Sequence, residues 1–206
     1  MPESSSAHWD RSFSPTESGD YTTRGWFQSS ADPSWTMIGD LDVSTPAIDV
    51  GAGASVWIDE ALDRGWSELS VIDWSVVALN ISRVRLSSRA DQVNWINHDL
   101  LSWIPPRTYG LWHDRAVLHF LLDDQQRARY ASVLRAATAP GSVVVIGGFS
   151  ASGPDMCAGL PVRHQSVEDF ETLFGDDFTI EQSFDQVHIR PDADTQDYLW
   201  VRAVRL

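Results

Sequence analysis

Three features of this 206-residue chain predict an α/β fold with a mostly parallel sheet and helices on both faces. From Pro46 onward, short apolar or β-branched runs alternate with segments of helical periodicity, the pattern of successive βα units. Gly51 and Gly53 fall where the first run meets the first helix, where a strand must turn sharply into its crossover. The last two strand-like runs, 178–189 and 198–206, are joined only by the polar turn RPDADTQD. With no helix between them they close the sheet as an antiparallel pair.

Residues 1–20 are rich in Ser, Pro and acids with little apolar periodicity, which predicts a mobile tail. Residues 21–45 carry Trp26, Phe27, Trp35, Met37 and Ile38 among polar residues and read as short helices or turns over an apolar surface, a lid. Residues 46–206 form the domain proper. Ala47 to Val50 is its first strand, and the helix from about Ser55 to Arg64 packs Ile58, Ala61 and Leu62 before Gly65 stops it. Leu69 to Ile72 is the second strand, after which Ser75 caps a helix with Val77, Ile81 and Val84 at helical spacing. Val93 to Ile96 is the third strand, ending near Asp99, and Tyr109 to Trp112 is a short fourth one after the Pro105-Pro106 break. A helix from about Asp124 packs Tyr130, Val133, Leu134 and Ala137 until Pro140-Gly141 ends it. Val143 to Ile146 reads as a strand buried on both faces, and Ser166 opens a short helix that Gly175 terminates.

Charge narrows the function. With 29 acidic and 15 basic residues the formal net charge is −14, so neither a nucleic acid nor an anionic membrane surface is expected as a partner. A small molecule or a basic protein patch remains. Cys157 is the single cysteine; with no internal disulfide and no signal-peptide pattern or apolar span, cytoplasmic residence is expected. No His, Cys or carboxylate cluster has ligand spacing, so no metal is expected. Oligomeric state is left open.

The chemistry centres on Asp49-Val50-Gly51-Ala52-Gly53-Ala54-Ser55. Its glycines let the backbone approach a ligand closely, and the following helix supplies free N–H groups. Dinucleotide sites normally carry Gly or Ala three positions after the second glycine, where this chain has Val56. Asp73 ends the second strand, where a carboxylate can accept from both hydroxyls of an adenosine ribose. Asp99-Leu100 follows the third strand, where an acid can accept from an adenine amino group and Trp74 can flank the ring.

In this order the three elements resemble the class I S-adenosylmethionine-dependent methyltransferases. The resemblance implies a Rossmann-like, seven-stranded sheet of order 3-2-1-4-5-7-6 with strand 7 antiparallel. It also implies S-adenosylmethionine as cofactor, S-adenosylhomocysteine as product, and a cofactor site built from Asp49, Gly51, Ala52, Gly53, Asp73, Trp74, Asp99 and Leu100. Ser55 stands where many members have a third glycine. Tyr109 to Phe120 (YGLWHDRAVLHF) resembles the Trp-Asp-Arg-Gly-Ala segment of the thiopurine S-methyltransferase group, with His113 inserted and Ala116 in place of glycine. Bacterial methyltransferases of Trp-His-Asp-Arg type are closer still.

The loop after the fourth strand faces the transferable group in such sheets, so His113, Asp114 and Arg115 are the expected catalytic residues. His113 is the natural proton acceptor for an amine or alcohol, whereas a thiol needs little help. Trp26, Phe27, Trp112, Arg115, Phe149 and Cys157 are expected around an uncharged or anionic small acceptor. His119, in an apolar run, reads as a packed histidine. The leading function expected is methyl transfer to a small-molecule nucleophile, at sulfur or another soft atom. Its rivals are methylation of a protein, use of another sulfonium carbon for aminocarboxypropyl transfer or cyclisation, and a non-catalytic cofactor-binding module.

Overall fold

The computed structural model describes residues 5–206, with only the backbone of Thr16 and Ser18; residues 1–4 of the expected tail lie outside the described residues. The sheet has seven strands. Strands β1 (Ala47–Val50), β2 (Leu69–Asp73), β3 (Val93–Asn97), β4 (Tyr109–Arg115) and β5 (Thr138–Phe149) run parallel. A small hairpin, β6 (Met156–Cys157) with β7 (Leu160–Pro161), lies outside the sheet. The chain then returns through β8 (Phe178–Ile189) and β9 (Thr195–Arg205), with β9 antiparallel to both neighbours. The order is β3-β2-β1-β4-β5-β9-β8. With the hairpin set aside this is the expected 3-2-1-4-5-7-6, a Rossmann-like methyltransferase fold.

Pleating sorts side chains into two cores. Ile48, Val50, Ile72, Trp112, Val144 and Ile146 meet Tyr130 and Leu134 of α6 (Asp124–Ala137) and Phe170 and Phe174 of α7 (Val167–Phe174). On the other face Ala47, Val71, Leu111, Val143 and Val145 meet α4 (Trp57–Asp63) and α5 (Val76–Leu86). Helix starts follow their caps: Ser75 accepts from the Ala78 N–H, and Asp123 and Ser166 each form a reciprocal capping box.

Four departures from the sequence reading matter. In place of the expected tail, α1 (Ser6–Phe13) and the single turn α2 (Pro15–Ser18) precede the domain. Ser5 caps α1, and Phe13 is buried. The expected lid is divided: α3 (Asp32–Ile38) is core, with Met37 and Ile38 buried against β5 and β9 and their carbonyls accepting from Arg202. Val84 of α5 is 80% exposed, because Ala78, Leu79, Ser82 and Leu86 form the buried row, while Val77 and Ile81 turn towards α1. Finally, β4 continues to Arg115 rather than ending at Trp112, which decides the fate of the residues expected to be catalytic.

Candidate active site

The strand order reverses between β1 and β4, where Asp49 pairs with His113 and Val50 with Asp114. Crossovers diverging from such a switch point open a crevice at the carboxyl ends of the strands. Here it is a cleft of about 360 Å³. Gly51 lies at φ +59° and Gly53 at φ +55°, a region costly to side-chain-bearing residues. Space is equally limiting, since a Cβ on Gly51 would meet Val117 Cγ2 at 2.0 Å and one on Gly53 would meet the Phe13 ring at 3.0 Å.

Asp73 anchors the far side of the turn. One carboxylate oxygen accepts from the Gly53 N–H and the other from the Ser75 N–H, both at 2.7 Å. Burial pushes its pKa up to about 6 against the pull of those two N–H groups, with Asp49 and Asp10 raising it further. Asp10 of α1 accepts from the Ser75 hydroxyl at 2.7 Å, so the first helix is tied to the rim beside Asp73. All the residues expected to hold a cofactor, Asp49, Gly51, Ala52, Gly53, Asp73, Trp74, Asp99 and Leu100, line this one cleft.

The residues expected to be catalytic are separated by the pleat of β4. His113 faces α4 and is 1% exposed. Its ring lies between Trp57, at 4.9 Å, and Trp200, at 6.5 Å. Nδ1 is 2.6 Å from Asp49 Oδ1 and Nε2 is 2.8 Å from Ser34 Oγ, an arrangement in which Nδ1–H donates to the carboxylate and the Ser34 hydroxyl donates to Nε2. Both ring nitrogens are therefore engaged, and His113, which also lines the cleft, is a strut between α3 and β1. Asp49 Oδ2, by contrast, is shielded from solvent with no hydrogen-bond partner among the described residues.

Asp114 and Trp112 point to the opposite face and do not line the cleft. Asp114 accepts from the Tyr130 hydroxyl at 2.6 Å and the Val117 N–H at 2.9 Å, and the Trp112 indole donates to the Tyr130 hydroxyl at 3.0 Å. Burial raises the Asp114 pKa to about 6. The expected catalytic role for Asp114 is corrected to fixing the turn after β4, and the expected acceptor contact for Trp112 to core packing. Phe149 is corrected likewise: it is fully buried between His119 and Tyr198.

Arg115 does reach the cleft, together with Trp26, Phe27 and Cys157. Its Nη1 donates to the Trp26 carbonyl at 2.8 Å, and its guanidinium lies 5.2 Å from the Tyr198 ring centre. Burial pushes the Cys157 thiol up to about 12, which keeps it protonated. His119 is fully buried and forced down to about 3, chiefly by burial and then by Arg115 and His164.

The sequence reading missed Trp9, Phe13 and Phe120, which line the aromatic wall of the cleft together with Tyr21 of the expected lid. Trp9 packs edge-on against Phe120 at 5.0 Å and Trp26 at 6.4 Å. The available signal was the i, i+4 spacing of Trp9 and Phe13 behind a Ser cap.

Among the described residues no group of three or more His, Cys, Asp or Glu side chains is placed to hold a metal, and no helix is long and apolar enough to cross a membrane. No family model matches the chain, and no curated protein matches it either. Solved structures do. A methyltransferase from Anabaena variabilis dependent on S-adenosylmethionine superposes with TM-score 0.72 over 98% of this chain and 93% of its own, at 14% identity. A glycopeptide N-methyltransferase complexed with S-adenosylmethionine gives 0.63 over 83% and 90%, at 15% identity. An N-methyltransferase from Bradyrhizobium japonicum in complex with S-adenosylhomocysteine gives 0.60 over 78% of each chain, at 21% identity. The shared property is the fold of S-adenosylmethionine-dependent methyltransferases.

Proposed function

We propose that this chain is an S-adenosylmethionine-dependent methyltransferase acting on a small molecule. The observation that carries the reading is the convergence of Asp49, the Gly51 to Gly53 turn, Asp73 and Asp99 on one cleft at the β1/β4 switch point. When bound, the cofactor would supply a methyl group on a sulfonium, open to in-line displacement. The glycine turn makes room for its amino acid part, and the unused Asp49 Oδ2 suits the ammonium. Asp73 keeps lone pairs for the ribose hydroxyls beyond the two N–H groups it already accepts. Asp99, Leu100 and Trp74 serve the adenine. Arg115, Trp26, Phe27 and Cys157 surround the acceptor, and the aromatic wall excludes water.

A soft nucleophile fits best. Near Arg115 the imidazole of His113 is committed at both nitrogens, Cys157 stays protonated, and His119 is packed among rings. A thiol, already partly ionised near neutrality, needs no base from the chain. Calorimetric titration with S-adenosylhomocysteine tests the cofactor site. Mass analysis of products with a panel of thiols tests the reaction: S-adenosylhomocysteine marks methyl transfer and methylthioadenosine marks aminocarboxypropyl transfer or cyclisation. Absence of binding to either cofactor form would overturn the reading, and methylated peptide in place of methylated thiol would redirect it to a protein substrate.

A further inference from the structure

Arg115 lines the cleft, and half of its guanidinium is buried without a hydrogen-bond partner among the described residues. Nη1 is held by the Trp26 carbonyl and one face of the plane covers Tyr198. Nε and Nη2 share the remaining edge, the pair of parallel N–H donors that matches the two oxygens of a carboxylate. Both atoms are shielded from solvent and have no hydrogen-bond partner among the described residues. Arg85, Arg135, Arg163 and Arg202 each meet a carboxylate, but among the described residues no such pair involves Arg115. In a chain with 29 acidic residues, a shielded cationic fork without an acid calls for an explanation.

Its surroundings suggest the occupant. The Arg115 charge helps depress His119 and His188 and opposes the rise of Cys157 and Tyr198. Those groups belong to the 118–120 turn, the 156–161 hairpin and the β8–β9 pair, which sets the cation among the residues assigned above to the acceptor. Beside it stand Trp9, Trp26 and Phe120, an apolar wall able to hold a ring edge-on or stacked.

We propose that the Nε/Nη2 edge of Arg115 binds a carboxylate on the methyl acceptor, and that the acceptor is a small acid with a ring-sized apolar body. This rests on the methyltransferase reading above. It narrows the acceptor from uncharged or anionic to anionic, and it makes Arg115 a specificity residue. Trp26 becomes its positioning partner, since the Trp26 carbonyl holds Nη1 and leaves the other edge without a partner among the described residues.

The test uses the full chain saturated with S-adenosylhomocysteine, titrated with phenylacetate and with phenylacetamide, which match in size and differ in charge. The acid should bind at least about tenfold more tightly than the amide, the effect of a charge-assisted pair. In Arg115→Gln the preference should fall to about one, and in Arg115→Lys, which keeps charge but loses the fork, to an intermediate value. Affinity for S-adenosylhomocysteine should stay within about twofold in both variants. The comparison within the unmodified chain does not depend on either variant folding. Equal binding of the two probes, or binding of neither, overturns the proposal. A large loss of S-adenosylhomocysteine affinity in both variants also overturns it, because the fork would then serve the cofactor's own carboxylate. Failure of the methyltransferase reading itself shows separately, as absence of S-adenosylhomocysteine binding to the unmodified chain; the two probes are then titrated against the protein alone.

Discussion

Replacing Asp73 by Asn tests the cofactor site at its most constrained point. Asp73 accepts two backbone N–H groups at 2.7 Å, one on each oxygen. An amide can replace one of those oxygens but turns an N–H donor towards the other backbone N–H, which should cost about 1–3 kcal/mol of stability. Loss of a charged acceptor for the ribose should weaken S-adenosylhomocysteine binding by about 1.5–3 kcal/mol, roughly ten- to a hundred-and-fifty-fold. The pKa adds an independent signature. Raised to about 6 from the ordinary 3.8, the folded carboxyl binds a proton between those values that the unfolded chain releases, so its contribution to stability falls as pH rises from about 4 to about 6. Cofactor affinity should run the other way, because the ionised form is the better acceptor: about tenfold weaker at pH 5 than on the plateau above pH 7. Calorimetry across pH 5 to 7.5, with thermal melts alongside, reads both slopes, and both should flatten in Asp73→Asn. A folded Asp73→Asn chain with unchanged affinity, or wild-type affinity flat across that range, would refute the reasoning.

Four further outcomes are expected. Gly51→Ala should destabilise by about 1–2 kcal/mol from its left-handed backbone and by about 1–3 more from the collision with Val117; adding Val117→Ala should recover the second part, as thermal melts will show. Ala116 lies at φ +67° beside Arg115, a region that favours glycine, so Ala116→Gly should be neutral or stabilising by up to about 1 kcal/mol, and a clear loss would contradict the strain argument. His113→Ala should cost about 2–4 kcal/mol by stranding Asp49 and Ser34 and emptying the gap between Trp57 and Trp200, with weaker cofactor binding in any fraction that stays folded. Amide exchange across residues 21–28 should slow on adding S-adenosylhomocysteine and phenylacetate, whereas α3, already core, should not respond; equal exchange in both states would dismiss the lid idea.

The parts of the fold that were legible in the sequence are those that local patterns specify. Alternating apolar runs located every strand of the main sheet, and Ser75, Ser166 and Gly175 marked real helix ends. The residues expected to hold a cofactor share one cleft because they lie at or just beyond the carboxyl ends of neighbouring strands, where chain position brings them together. His113-Asp114-Arg115 was not legible, since three polar residues in a row look like a loop. They stay in β4 because each face supplies partners from afar: Asp49 and Ser34 for His113, 64 and 79 residues away, and Tyr130 for Asp114, 16 residues away. Such pairing leaves no local trace. The same holds for α1, whose docking depends on Asp10 meeting Ser75 across 65 residues.

The pleat of β4 also explains how one strand serves three purposes. Side chains pointing alternately to the two faces send Trp112 and Asp114 to α6, where Tyr130 joins them into a buried chain of hydrogen bonds that fixes the turn at Val117. That turn is what Gly51 packs against, so the shape of the glycine turn depends on residues that never enter the cleft. His113 and Arg115 go to the other face, and both are tied to the segment preceding β1: His113 through Ser34, Arg115 through the Trp26 carbonyl. Asp49 and Arg115 are thereby registered against the same stretch of chain from residue 26 to residue 34. In the proposed assignment one holds the cofactor's ammonium and the other the acceptor's carboxylate. Because Asp49 and Arg115 also sit in neighbouring parts of one sheet, in β1 and β4, their separation is fixed, which would preserve the line between nucleophile and methyl carbon on which an in-line displacement depends.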